Sequence, residues 1–108
     1  MRELKREKIK EIIQRAAASF VVEESTNSSL ITITRVELSH TGKEAKIFFT
    51  TLPEDREETA EKFLLRKKME FKRYLMDHSR IGIIPHLDFK IDKGERNRQR
   101  LDELSGNL

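Results

Sequence analysis

Residues Lys62–Asp92, KFLLRKKMEFKRYLMDHSRIGIIPHLDFKID, decide how the rest of the chain is read. Phe63, Leu64, Phe71, Tyr74, Leu75 and His78 recur at the three-and-four spacing of one helix face. At Arg80 the pattern changes. Ile81-Gly82-Ile83-Ile84-Pro85 closes a turn, and His86-Leu87-Asp88-Phe89-Lys90-Ile91-Asp92 alternates polar and apolar as a half-buried strand does. A helical hairpin or kinked helix therefore feeds one strand through a Pro-closed turn. Arg66-Lys67-Lys68 interrupts the helical stripe where a continuous apolar face would need apolar residues, and this interruption is where function is expected.

Upstream, Ile9, Ile12, Ile13, Ala16, Ala17 and Phe20 fall on one face of a helix over Arg2–Phe20. Val21-Val22 and the polar cluster Ser25-Thr26-Asn27-Ser28-Ser29 end it by about Glu24 and start a loop. Leu30–Ser39 alternates as a strand, with Ile31, Ile33, Val36 and Leu38 inward. The slip in parity between Ile33 and Val36 predicts a bulge at Thr34-Arg35. His40-Thr41-Gly42-Lys43 is a turn, and Glu44–Thr51 a second strand, so the two strands form an antiparallel hairpin. Strict alternation forces one of Phe48 and Phe49 away from the core.

Pro53 stops the second strand, and the carboxylates of Glu54–Glu58 suit the positive end of a helix. The order helix, strand, strand, helix, helix, strand gives an α+β fold whose helices pack on one face of a three-stranded sheet. The domain spans 1–92. Residues 93–108 are expected to be a partly ordered basic tail with Leu101 and Leu104 as its obvious anchors.

Composition excludes several classes of function. With no cysteine, disulfides and thiolate sites are out. No apolar run approaches the ~20 residues of a bilayer span, and Met1-Arg2-Glu3-Leu4-Lys5 lacks the apolar core of a secretory signal. A cytoplasmic protein with no membrane contact is expected. His40, His78 and His86 show no metal-ligand spacing. His86 and Asp88 share a strand face without a nucleophile tied to them, and no Gly-rich phosphate loop occurs. Neither catalysis, a cofactor, a metal nor a small-molecule substrate is expected.

The net charge of +3 decides little, but its distribution is informative. Acidic residues gather in Glu54-Asp55-Arg56-Glu57-Glu58, while Lys62–Arg73 and Arg96–Arg100 are dominated by Lys and Arg. A like-sign cluster on a short domain is the footprint of phosphate-backbone contact, although a solvated helix face would look the same.

Several segments resemble the ribosome-binding factor A family in order along the chain. Ile31–Ser39 resembles its first strand, Ala45–Thr50 its second, and Arg80–Asp92 its most recognisable stretch, an Arg and apolar run closed by Pro, then Leu, Phe and Asp. Arg100-Leu101-Asp102-Glu103-Leu104 follows at the family's distance. The resemblance implies a type II KH-like fold and a non-catalytic factor, monomeric when free. Such a factor binds the immature small (30S) ribosomal subunit and assists maturation of its 16S rRNA. Where the family carries a small-residue Ala-x-Gly element between the helices, this chain has Lys67-Lys68-Met69.

In KH-type folds that break approaches the nucleic-acid backbone. Arg66, Lys67, Lys68, Lys72 and Arg73 are therefore the first candidates for RNA contact, binding phosphates by charge without reading sequence. Arg80 is a further candidate, or else only a helix cap. Arg96, Arg98 and Arg100 of the tail complete the set, gripping rRNA on docking. Two other readings stand beside this one: a general KH-like binder of single-stranded RNA, and a protein-interaction module using the sheet edge or the long helix.

Overall fold

A computed structural model describes residues 5–24 and 30–106, for 24 and 103–106 the backbone alone. The polar loop expected at Ser25–Ser29 lies outside the described residues. The elements are α1 (Arg6–Glu24), β1 (Leu30–Leu38), β2 (Glu44–Leu52), a one-turn 3-10 helix (Glu54–Arg56), α2 (Glu57–His78), β3 (His86–Ile91) and α3 (Lys93–Gly106). Up to β3 this is the predicted helix-strand-strand-helix-helix-strand order.

The hairpin forms as alternation requires, and its bulge lies where parity slipped. Ile33 pairs with Phe49 and Arg35 with Phe48, so Thr34 is the extra residue of β1. Its insertion keeps Ile31, Ile33, Val36 and Leu38 on the core side and turns Arg35 to the outer face. Phe49 is completely buried, whereas Phe48 is half-buried on the opposite face with the Arg35 guanidinium 3.8 Å above its ring. Gly42 takes φ 75° in the turn, a conformation that costs a side-chain-bearing residue.

β3 pairs with β2 in parallel, giving the strand order β1-β2-β3. Parallel neighbours need a crossover, which the 3-10 turn and α2 supply. The helix pair expected between the second and third strands divides at Lys67-Lys68-Met69; the two helical pieces observed divide instead between Arg56 and Glu57. α2 runs unbroken through Lys67-Lys68-Met69. With neither glycine nor proline between Glu57 and His78, nothing in its backbone forces a kink.

α1 and α2 cover one face of the sheet. From α1 come Ile13, Ala17, Phe20 and Val21, and from α2 Ala60, Leu64, Phe71 and Leu75, all buried against Ile31, Val36, Ala45, Ile47, Phe49, Leu87 and Phe89. Phe71 is the hinge of this packing, with its ring 5.2 Å from Phe20 and 5.8 Å from Phe89. Tyr74 is partly buried and meets Phe20 edge-on at 5.6 Å. His78, expected on the same stripe, is exposed and stacks on Tyr74 at 4.1 Å.

Residues 93–106, read from sequence as a tail, form α3 in the structure. Asp92, 4% exposed, caps its start: Oδ1 accepts the Glu95 amide at 3.0 Å. Its Oδ2 accepts from Thr34 Oγ1 at 2.6 Å and Arg35 Nε at 3.2 Å. One carboxylate thus joins the β1 bulge to the beginning of α3. Burial pushes the Asp92 carboxyl up, but the hydrogen bonds from Thr34, the Glu95 amide and Arg35, with the Arg35 charge, outweigh it and hold it below the usual range. Leu101, expected as an anchor, is 64% exposed, and the side chain of Leu104 lies outside the described residues.

Candidate nucleic-acid interface

The cations of α2 do not share one face. Consecutive residues on a helix are about 100° apart, so Lys67 and Lys68 diverge onto opposite flanks of the buried Leu64-Phe71-Leu75 stripe. Both are half-buried, and a lysine in that position can cover apolar surface with its stem while keeping its charge in water. This explains how they interrupt an apolar pattern without breaking the helix. Lys67 lies on the flank of Tyr74, which meets α1, and its ammonium is 3.5 Å from the carboxylate of Glu70.

Lys68 and Lys72, one turn apart, lie on the other flank. They line a cleft of about 270 Å³ together with Met69 and the Ile84-Pro85-His86-Leu87 segment leading into β3. The His86 amide bonds the Lys43 carbonyl at 2.8 Å, and Pro85 and Leu87 are buried, so that wall is fixed to the hairpin turn and the core. Beyond Lys72 the surface continues as a shallow depression formed by Met69, Glu70, Lys72, Arg73 and Met76. Arg66 and Arg73, seven residues apart, share the outward face of the helix and are exposed. Four of the five predicted α2 cations therefore lie within an arc of about 160°, and Lys67 lies outside it.

The arrangement is suited to one kind of chemistry. Two ammonium groups on one rim can neutralise successive phosphates, while the exposed Met69 and half-buried Ile84 offer an apolar surface on which base or sugar faces can rest. Sequence reasoning passed over Met69 and Met76, which are 71% and 62% exposed. The signal was present: Met69, Lys72, Arg73 and Met76 recur at the spacing of one helix face, with the methionines standing where a solvated face would carry polar residues.

The other predicted residues fall elsewhere. Arg80 is exposed after the end of α2. The last turn is closed by Ser79, whose hydroxyl donates to the Leu75 carbonyl at 2.6 Å and accepts from the Ile81 amide at 3.3 Å. Arg96, Arg98 and Arg100 are on α3, each engaged by an acid. Arg96 pairs with Glu57 at 2.9 Å, Arg98 with Glu95, and Arg100 with Glu54. Phe48, the aromatic that faces away from the core, is covered by Arg35. Among the described residues no group of three or more His, Cys, Asp or Glu is placed to hold a metal ion, and no helix is long and apolar enough to cross a membrane.

Comparison with known proteins agrees with this architecture. The chain is 26% identical over 110 residues to ribosome-binding factor A of Coprothermobacter proteolyticus, covering 100% of this chain and 80% of that protein. The crystal structure of ribosome-binding factor A from Thermus thermophilus superposes with a TM-score of 0.71 over 82% of this chain and 97% of that one, at 22% identity. The solution structure of a Thermotoga maritima protein described as a putative ribosome binding factor A gives 0.63, at 28% identity over 82% and 87% of the two chains. The family model described as "Ribosome-binding factor A" matches residues 3–105, and the chain belongs to that family.

Proposed function

We propose that this protein is a non-catalytic ribosome assembly factor that binds the immature small (30S) subunit in the cytoplasm and assists maturation of its 16S rRNA. The observation that carries the proposal is the cleft in which Lys68 and Lys72 stand beside the apolar Met69-Ile84-Pro85 wall. Lysines there hold phosphates as point charges, without the planar fork that reads a base edge. Affinity comes from charge, and selectivity from the shape of the folded ribosomal RNA. The domain of residues 1–92 is the RNA-binding unit, with Arg66 and Arg73 widening the contact along the outward face of α2.

Co-sedimentation with small subunits, taken across a salt series, tests this. Each phosphate contact contributes roughly 0.7 to the log–log salt slope on single-stranded RNA. Lys68→Gln with Lys72→Gln should weaken subunit binding and flatten that slope by roughly 1 to 1.5, with the unfolding midpoint unchanged. Binding indifferent to salt would defeat the proposal. Short unstructured RNAs binding as tightly as subunits would favour a general single-stranded RNA module instead.

A further inference from the structure

Glu54 and Glu57 stand at the junction of the 3-10 turn and α2, and they take up Arg96 and Arg100 of α3 across 39 to 46 residues of sequence. Arg96 Nη1 donates to Glu57 Oε1 at 2.9 Å, with the two side chains only 23% and 14% exposed. Arg96 Nε is 4.0 Å from Glu54 Oε1, close enough for attraction but without a hydrogen bond, and Glu57 Oε2 is likewise buried without one. Arg100 forks onto both oxygens of Glu54, one contact being 3.0 Å. The pairing is thus strong in charge and incomplete in hydrogen bonding. Leu101, the one leucine of α3 whose side chain is among the described residues, is mostly exposed.

A guanidinium meets a carboxylate and a phosphate with the same planar two-bond geometry, so one can replace the other without rebuilding the arginine. We propose that Glu54 and Glu57 stand in for phosphates in the free protein, and that α3 is an exchangeable arm. On docking, Arg96 and Arg100 leave these carboxylates for backbone phosphates of rRNA. The inference rests on the rRNA-binding reading above. Until a correctly shaped RNA arrives at the α2 cleft, the arm's charge is masked, which suppresses its attachment to other polyanions.

The experiment compares Glu54→Gln/Glu57→Gln, Arg96→Gln/Arg100→Gln and the control Asp55→Asn/Glu58→Gln. The control removes the same charge from the same segment, where Glu58 pairs with Lys62 rather than with α3. Amide exchange of residues 94–102 and affinity for purified small subunits are measured on the full chain.

Both latch variants should speed exchange of the arm, and the control should leave it unchanged. Affinity should move in opposite directions, rising roughly two- to tenfold for the glutamate variant and falling by a similar factor for the arginine variant, the range expected of two partly exposed ion pairs. The proposal is overturned if exchange does not respond, if both latch variants shift affinity the same way, or if the control raises it equally. Lys68→Gln/Lys72→Gln keeps the two readings distinguishable. It should weaken subunit binding with arm exchange unchanged, so a failure there counts against the cleft and not the arm.

Discussion

Asp92 offers the sharpest test of how the sheet and α3 are joined. Replacing it with alanine removes the cap on the Glu95 amide and the acceptor for Thr34 and Arg35. Losing a helix cap costs about 1 kcal/mol. Leaving the part-buried Thr34 hydroxyl unpaired adds about 1 kcal/mol, and the hydrogen bond from Arg35, which retains Glu37, adds up to another. The expected loss is about 2 to 3 kcal/mol, or roughly 10 °C in midpoint for a domain of this size.

The loss should depend on pH with a definite sign. Because the folded carboxyl titrates below the ordinary aspartate value of 3.8, its contribution is fully present above that value and disappears as pH falls through the folded-state value. Urea unfolding of both proteins at pH 7 and at successive steps below pH 4 should show the difference between them shrinking with acid. A difference under about 0.5 kcal/mol at pH 7, or one that stays constant to the lowest pH, would refute the reasoning.

Further outcomes are expected of single substitutions. Phe71→Ala should lower stability by about 3 to 5 kcal/mol in denaturant titration, since it empties a fully buried site between Phe20 and Phe89. Gly42→Ala should cost about 1 to 2 kcal/mol from the positive φ alone, because the added Cβ would meet only Arg6 Nη1, at an ordinary 3.8 Å. Lys68→Glu should weaken small-subunit binding more than Lys67→Glu in the same co-sedimentation assay, because only Lys68 lines the cleft; equal losses would place the contact surface elsewhere. Arg35→Ala should cost about 0.5 to 1 kcal/mol from the stack on Phe48, with a further loss from Asp92, and should increase the accessibility of that ring to a solvent quencher.

Local pattern carried the sequence a long way. Period two located the hairpin and, through the slip between Ile33 and Val36, the bulge that turns Arg35 outward. Period 3.6 located α1 and α2, and the charge run marked the helix on which the cleft is built. These features were legible because each arises from neighbours within a few residues, where side-chain direction follows directly from chain geometry.

Three-dimensional packing decided the rest. Position on the helix alone separates Lys67 from Lys68, but only the arrival of Ile84–Leu87 beside α2 makes one flank a cleft and leaves the other against α1. The segment after Asp92 lacks an apolar stripe that would announce a packed helix. Among the described residues it is held by a capping carboxylate tied to β1 and by arginines reaching back to Glu54 and Glu57. Attraction between charges carries no periodicity along the chain, so which acid answers which base is fixed only when the crossover of α2 brings distant residues within a few ångströms.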